Sequence, residues 1–271
     1  MKSCTCSIFL VSLLFNVDGD ILVANETVRQ LVQSAGYPVE RHYVHTSDGY
    51  ILQVYRIPHG RAETNRIEGK KKAVVLFHGL TGSCDNYLVM GPKKSLAYYL
   101  ADVGYDVWLA NLRGNFYTSH TKLTRKDPAF WDYSFDEHGK YDAPVIIDKI
   151  LEETGLSRVL YIGHSMGCTT FLTMLAQRPE YNDKLVAFVG LGPAAYLNNI
   201  QGYVHFLLNN LNLRIFLPKL DIGAIIIPRK VLEFTSKFCS PEYNMDLCLK
   251  YLYSLIGEDY EQNAPRSSKF Y

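Results

Sequence analysis

Arg158-Val159-Leu160-Tyr161-Ile162-Gly163-His164-Ser165-Met166-Gly167-Cys168 is the stretch on which the architecture turns. Its first five residues read as a buried strand, and the Gly-x-Ser-x-Gly run after them reads as a sharp bend. Behind the bend, Cys168, Phe171, Leu172 and Leu175 recur at i, i+3, i+4 and i+7, the stripe of a helix lying on a sheet. Strand, tight bend and helix form the context in which a serine is lifted out at the top of a parallel sheet. The flanking glycines remove side chains that would collide across the bend, and Ser165 is expected to take a strained backbone conformation. Its hydroxyl then stands at a helix N-terminus, where partial positive charge favours an incoming anion. Ser165 is the candidate nucleophile.

Similar apolar runs lie on either side. Ala73 to Phe77, Asp106 to Ala110 and Leu185 to Val189 are short and continuously apolar, as strands covered on both faces must be. Ala143-Pro144-Val145 opens a helix with proline in its first turn, which runs to Glu153 and stops at Gly155. Alternating strands and helices imply a parallel sheet with right-handed crossovers. Ahead of it, Arg41 to Thr46 and Tyr50 to Ile57 flank Ser47-Asp48-Gly49 and predict a hairpin. Pro58 to Lys72 reads as a polar loop. After about Tyr196 no further strand–helix unit is evident, so residues 197–271 are expected to form a mostly helical cap. The cap's apolar face, Val204, Leu207, Leu208 and Leu211, suits either lipid contact or packing on the sheet.

The second chemical segment is Phe77-His78-Gly79-Leu80-Thr81-Gly82-Ser83, at the end of the first long apolar strand. In a parallel sheet this strand end shares an edge with Ser165. A backbone amide here, with Leu80 the candidate, can pair with the amide of Met166 as an oxyanion hole. His78 and His164 read as structural, since alternation turns His164 away from Ser165. His120 and His138 carry no special signal.

Hydrophobic residues make up 48% of the 271, against 20% charged, which excludes a disordered chain and supplies a sizeable core. A formal charge of +1 gives no electrostatic reason for a nucleic-acid partner. Met1-Lys2 and the apolar run Cys6 to Phe15 match a secretory signal over residues 1–19, with the mature chain starting at Asp20. No later run is long enough for a transmembrane segment. In a secreted chain, Asn25-Glu26-Thr27 is a glycosylation sequon at Asn25. Loss of the leader leaves Cys84, Cys168, Cys239 and Cys248. Cys239 and Cys248 enclose a short polar loop that can close as a disulfide, although four cysteines admit three pairings. No zinc spacing is present, and neither a metal nor an organic cofactor is implied.

Further runs carry a family likeness: Gly104-Tyr105-Asp106-Val107-Trp108-Leu109-Ala110-Asn111, Leu112-Arg113-Gly114-Asn115, Phe130 to Glu137 and Lys140-Tyr141-Asp142-Ala143-Pro144. With the Ser165 elbow, and from about Asp20 to the last residue, the sequence resembles the gastric and lysosomal acid lipases, insect members above all. The resemblance implies an α/β-hydrolase fold: a mostly parallel sheet with helices on both faces, residues 20–196 forming the N-terminal part of the core beneath the cap. It implies hydrolysis of lipid esters, triacylglycerols or steryl esters, at a lipid interface, in a secreted or lysosomal protein. It also implies a Cys239–Cys248 disulfide. Met166 stands where relatives often carry Gln, a small departure because the amide does the work.

Such a hydrolase needs Ser, Asp and His in that order. The family carries the last two after further strands, and this chain is expected to stop inside the cap without them. Beyond Ser165 stand only His205 and the aspartates Asp183, Asp221, Asp246 and Asp259. Asp183 precedes its strand, at the opposite edge of the sheet from Ser165, which puts it roughly 17–20 Å too far away. The expectation is therefore a truncated lipase with little turnover, the alternative being a catalytically inactive, lipid-binding lipase relative.

Overall fold

The computed structural model describes residues 27–61, 71–80 and 82–195. The signal segment, Asn25, the cap with Val204 to Leu211, His205, Asp221, Asp246, Asp259 and the Cys239/Cys248 pair lie outside the described residues.

A short helix α1 (Thr27–Ser34) leads into the hairpin β1 (Glu40–His45) and β2 (Tyr50–Ile57). Gly49 closes that hairpin at φ 103°, a conformation that only glycine takes without strain. There follow β3 (Ala73–Phe77), α2 (Leu96–Asp102), β4 (Asp106–Leu109), β5 (Thr118–His120), α3 (Ala143–Thr154), β6 (Val159–His164), α4 (Met166–Gln177) and β7 (Leu185–Leu191). Gly155, left-handed at φ 62°, ends α3 as expected.

The ladder runs β1-β2-β4-β3-β6-β7, with β5 paired to β2 beside it. β1, β2 and β4 pair antiparallel, whereas β4, β3, β6 and β7 are mutually parallel. Alternate residues of each central strand enter opposite cores. Val75, Phe77, Trp108 and Tyr161 pack with Ile146, Ile147, Ile150, Phe171 and Met174 of α3 and α4. Val74, Leu76, Val107 and Ile162 pack with Val28, Val32, Ala97 and Tyr98 of α1 and α2. Burial on both faces is why these strands lack a polar alternation.

Two expectations need correcting. Leu172 is 44% exposed; the buried face of α4 is Gly167, Cys168, Thr170, Phe171 and Met174. That face lies mostly one residue earlier than the stripe read from sequence, because the helix starts at Met166, directly on the bend. β7 is also wetter than its composition suggests, with Val186 62% exposed. It ends the ladder, and among the described residues no strand pairs with its outer side.

Candidate active site

β6 carries the chain through His164, and Ser165 follows at φ 50°, ψ −112°. It is the one non-glycine among the described residues with positive φ. Holding an L-residue in such a region costs about 1–3 kcal/mol, so the surroundings must impose it. They do so from both sides: the Ser165 N–H donates to the Leu191 carbonyl at 2.9 Å, and the Cys168 N–H donates to the Ser165 carbonyl at 2.9 Å. Both glycines of the bend are sterically required. A Cβ on Gly163 would stand 2.7 Å from the Gly167 carbonyl carbon, and one on Gly167 would strike the backbone oxygen of Phe77. Neither obstacle is a side chain that could swing aside.

The loop after β3 passes against this bend. A Cβ on Gly79 would lie 3.2 Å from Ser165 Cβ and 2.9 Å from His164 Nδ1. The loop turns tightly, the Gly82 N–H donating to the Gly79 carbonyl at 3.1 Å, and its tip residue Leu80 is 57% exposed. Met166 opens α4, where amides of the first turn have no acceptor within the helix. Ser165, the Gly79–Leu80 segment and Met166 therefore share one end of the sheet.

The histidines beside the bend are held neutral. His78 is buried. Its Nε2 receives the Leu112 N–H at 3.1 Å, so the ring proton sits on Nδ1 and is donated to the Gly79 carbonyl at 2.8 Å. Burial pulls its pKa down to about 4, against the pull of the Gly79 bond. His164 is buried against Gly79, and burial lowers its pKa too. Cys84 and Cys168 are buried free thiols; the Cys168 S–H donates to the Gly163 carbonyl at 3.0 Å. Burial raises both thiol pKa values, which suits packing rather than nucleophilic chemistry.

Beneath the loop after β4 lies a buried ion cluster. Arg113 Nε and Nη2 donate to Asp142 Oδ1 at 2.9 and 2.7 Å, and its backbone N–H donates to Asp142 Oδ2 at 2.9 Å. Nη1 reaches Asp48 Oδ2 at 2.6 Å. Burial pushes Asp142 up to about 6, with Arg113 opposing.

His138 was unremarkable in the sequence, and here the structure departs from that reading. It is buried in a π-type turn, His138–Asp142, that runs into α3, with the Tyr133 ring 5.5 Å away. Neither ring nitrogen meets a hydrogen-bond partner. Burial first, then the nearby Arg113 and His78, lower its pKa to about 3. The available signal was the four-residue spacing of His138, Asp142, Ile146 and Ile150, all buried on one face.

Asp183 sits in the turn Pro179–Lys184 that feeds the start of β7. Leu185 pairs with Val159 and Leu191 with His164, so Asp183 stands at the far end of the sheet from Ser165. Among the described residues no His, Cys, Asp and Glu side chains gather as a metal site, and no helix is long and apolar enough to cross a membrane.

Comparison with known proteins matches residues 28–91 to the partial alpha/beta-hydrolase lipase region and residues 72–221 to the alpha/beta hydrolase fold. The chain is 41% identical to a gastric triacylglycerol lipase of Bos taurus over 241 residues, covering 87% of this chain and 59% of that one. It is 39% identical to lipase member K of Homo sapiens, with coverage of 87% and 59%. Lipase 1 of Drosophila melanogaster is 38% identical, with coverage of 87% and 51%. The chain thus spans between half and three-fifths of the length of these relatives. An elbow of this geometry, on a sheet of this order, and family patterns running from Val28 to Asp221 agree: the chain belongs to the α/β-hydrolase family, and its N-terminal part matches that family's lipase region.

Proposed function

We propose that this chain carries the nucleophile and oxyanion-binding half of a serine hydrolase of lipid esters. Ser165 Oγ attacks the ester carbonyl carbon, and the amides of Leu80 and Met166 receive the resulting oxyanion. Collapse expels the alcohol, which carries off the Ser165 hydroxyl proton, and leaves an acyl group on Oγ. Water then adds to the acyl carbonyl, the carboxylic acid leaves and a water proton returns to Oγ. The observation that carries this reading is the strained Ser165 backbone, φ 50°, with Gly79 pressed against its side chain. Strain of that kind persists only where the surroundings impose it. The names of the relatives support triacylglycerols as a substrate class, with steryl esters as the second candidate.

The reading extends to the rest of the chain: residues 1–19 as a secretory leader, glycosylation at Asn25, a Cys239–Cys248 disulfide, and a helical cap over residues 197–271 that meets the lipid. The destination is then outside the cell or the lysosome. The test is phosphonylation by a fluorophosphonate, mapped to the Ser165 peptide by mass spectrometry and compared with Ser165→Ala. Modification in wild type alone supports the reading, and an unmodified Ser165 overturns it.

A second reading, a non-catalytic lipid binder, is favoured by one observation: among the described residues His78 is committed to Gly79 and Leu112, and no histidine is hydrogen-bonded to Ser165. A serine without its base loses roughly four to six orders of magnitude in rate. The 271-residue chain, assayed on triacylglycerol emulsions, is accordingly expected to turn over very slowly; robust hydrolysis abolished by Ser165→Ala would dispose of this second reading.

A further inference from the structure

The loop that would hold the oxyanion is tied down at both ends by one neighbouring loop, residues 111–117, which follows β4. At its N-terminal end, His78 links Gly79 to Leu112 and also receives Asn115 Nδ2 on Nε2 at 3.2 Å. At its C-terminal end, the Cys84 N–H donates to Asn111 Oδ1 at 3.1 Å. Ser83 Oγ donates to Asp85 Oδ2 at 2.9 Å, and Tyr117 Oη donates to the same oxygen at 2.7 Å.

Asn115 joins the two ends. Its Nδ2 also donates to Asn111 Oδ1 at 2.8 Å, and its Oδ1 accepts the Tyr117 N–H at 2.9 Å. One carboxamide thereby touches the His78 arm, the Asn111 arm and the segment that carries Tyr117. Two donors and one acceptor are used, a pattern that only Asn or Gln can supply and that Asp cannot. The clamp is rooted deeper through Arg113, in the same loop, by its bonds to Asp142 and Asp48.

Resting on the reading of Ser165 given above, we propose that Asn115 is the positioning residue of the oxyanion loop, setting the placement of Gly79 and Leu80 against Ser165 through His78 at one end and Asn111 at the other. It touches no reacting atom and acts through the loop it holds.

The test is Asn115→Asp, which keeps shape and the acceptor to Tyr117 while turning both donors into acceptors that face acceptors. Two readouts are taken on the full chain. The first is the rate of Ser165 phosphonylation by a fluorophosphonate, followed over hours and resolved into probe affinity and bound-state reaction rate. The bound-state rate is expected to fall by about ten- to a hundredfold, with affinity unchanged within about twofold. The second is exchange of the Gly82 amide hydrogen, expected to quicken about tenfold or more as the turn loosens. Unchanged values of both overturn the proposal, as does a loss of affinity with an unchanged bound-state rate. If wild type itself shows no reaction, the reading of Ser165 fails, and Gly82 exchange alone decides whether Asn115 holds the loop. Should Asn115→Asp not fold, Asn115→Ala replaces it: loss of the bonds to His78 and Asn111 without new repulsion predicts a several-fold slower bound-state rate, and a wild-type rate there overturns the proposal.

Discussion

Replacing His138 by Met should make the protein more acid-resistant, by an amount its surroundings allow to be worked out. In the fold the imidazole is buried beside Arg113 and is held neutral down to about pH 3, whereas in the unfolded chain it titrates near its ordinary 6.5. The unfolded form therefore binds more protons between those values, and stability falls as pH drops through that window. The loss attributable to this one group is about 2 kcal/mol at pH 5 and about 3 kcal/mol at pH 4. At pH 7 it is negligible, and Met, which removes two buried nitrogens without protein partners, should leave stability equal or slightly higher. Paired thermal melts of wild type and His138→Met from pH 7.5 to 4 measure the difference. A gap that opens steadily below pH 6.5 and reaches about 4–8 °C in Tm by pH 5 is expected, since about 1 kcal/mol corresponds to roughly 2–4 °C in a chain of this size. Some acid slope should survive in the variant, because His78 titrates in the same sense, while Asp142, raised to about 6, runs oppositely. Parallel curves would refute the reasoning, showing that His138 is protonated in the fold or reaches solvent.

Other substitutions probe the bend and the ion cluster. Ser165→Gly should raise stability by about 1–3 kcal/mol by releasing the positive φ, with fluorophosphonate reactivity gone; a lower Tm would show that the strain is absent. Gly167→Ala sets a Cβ against the Phe77 backbone and should cost about 3 kcal/mol or more, read as lost soluble yield and a depressed Tm. Arg113→Met leaves the buried Asp142 without its cation and should cost about 3–5 kcal/mol at pH 7.5. That deficit should shrink as pH falls towards about 6, because Asp142 without the lowering pull of Arg113 takes up its proton above the value it has in wild type; a deficit that grows on acidification would contradict the assignment.

Much of this was open to a reading of residues. The bend at Gly163–Gly167 and the strand Ala73–Phe77 match expectation because their signals are local: a buried run, then a turn that side chains cannot cross. The strand Val159–His164 extends two residues beyond its apolar run, since pairing with Gly190 and Leu191 of β7 carries it on through Gly163 and His164. What stayed hidden is contact between segments distant in sequence. Nothing near Asn115 announces that its carboxamide meets His78, 37 positions away, and nothing in Phe135 to Asp142 shows that His138 turns inward towards Arg113. Composition there is polar and aromatic, and polarity alone cannot distinguish a solvated histidine from one enclosed by the packing of a π-type turn.

The abutment of the Phe77 and Gly167 backbones has an evolutionary corollary. No compensating change elsewhere can make room at a peptide-to-peptide contact, so drift at residues 163 and 167 is barred whether or not hydrolysis is under selection. Ser165 is the opposite case, since among the described residues its hydroxyl caps no helix amide and its backbone geometry suits glycine better. A library randomised over residues 163–167 and selected only for soluble expression should return glycine at both ends and lose serine from the middle; retention of serine would have to come from a selection that demanded chemistry.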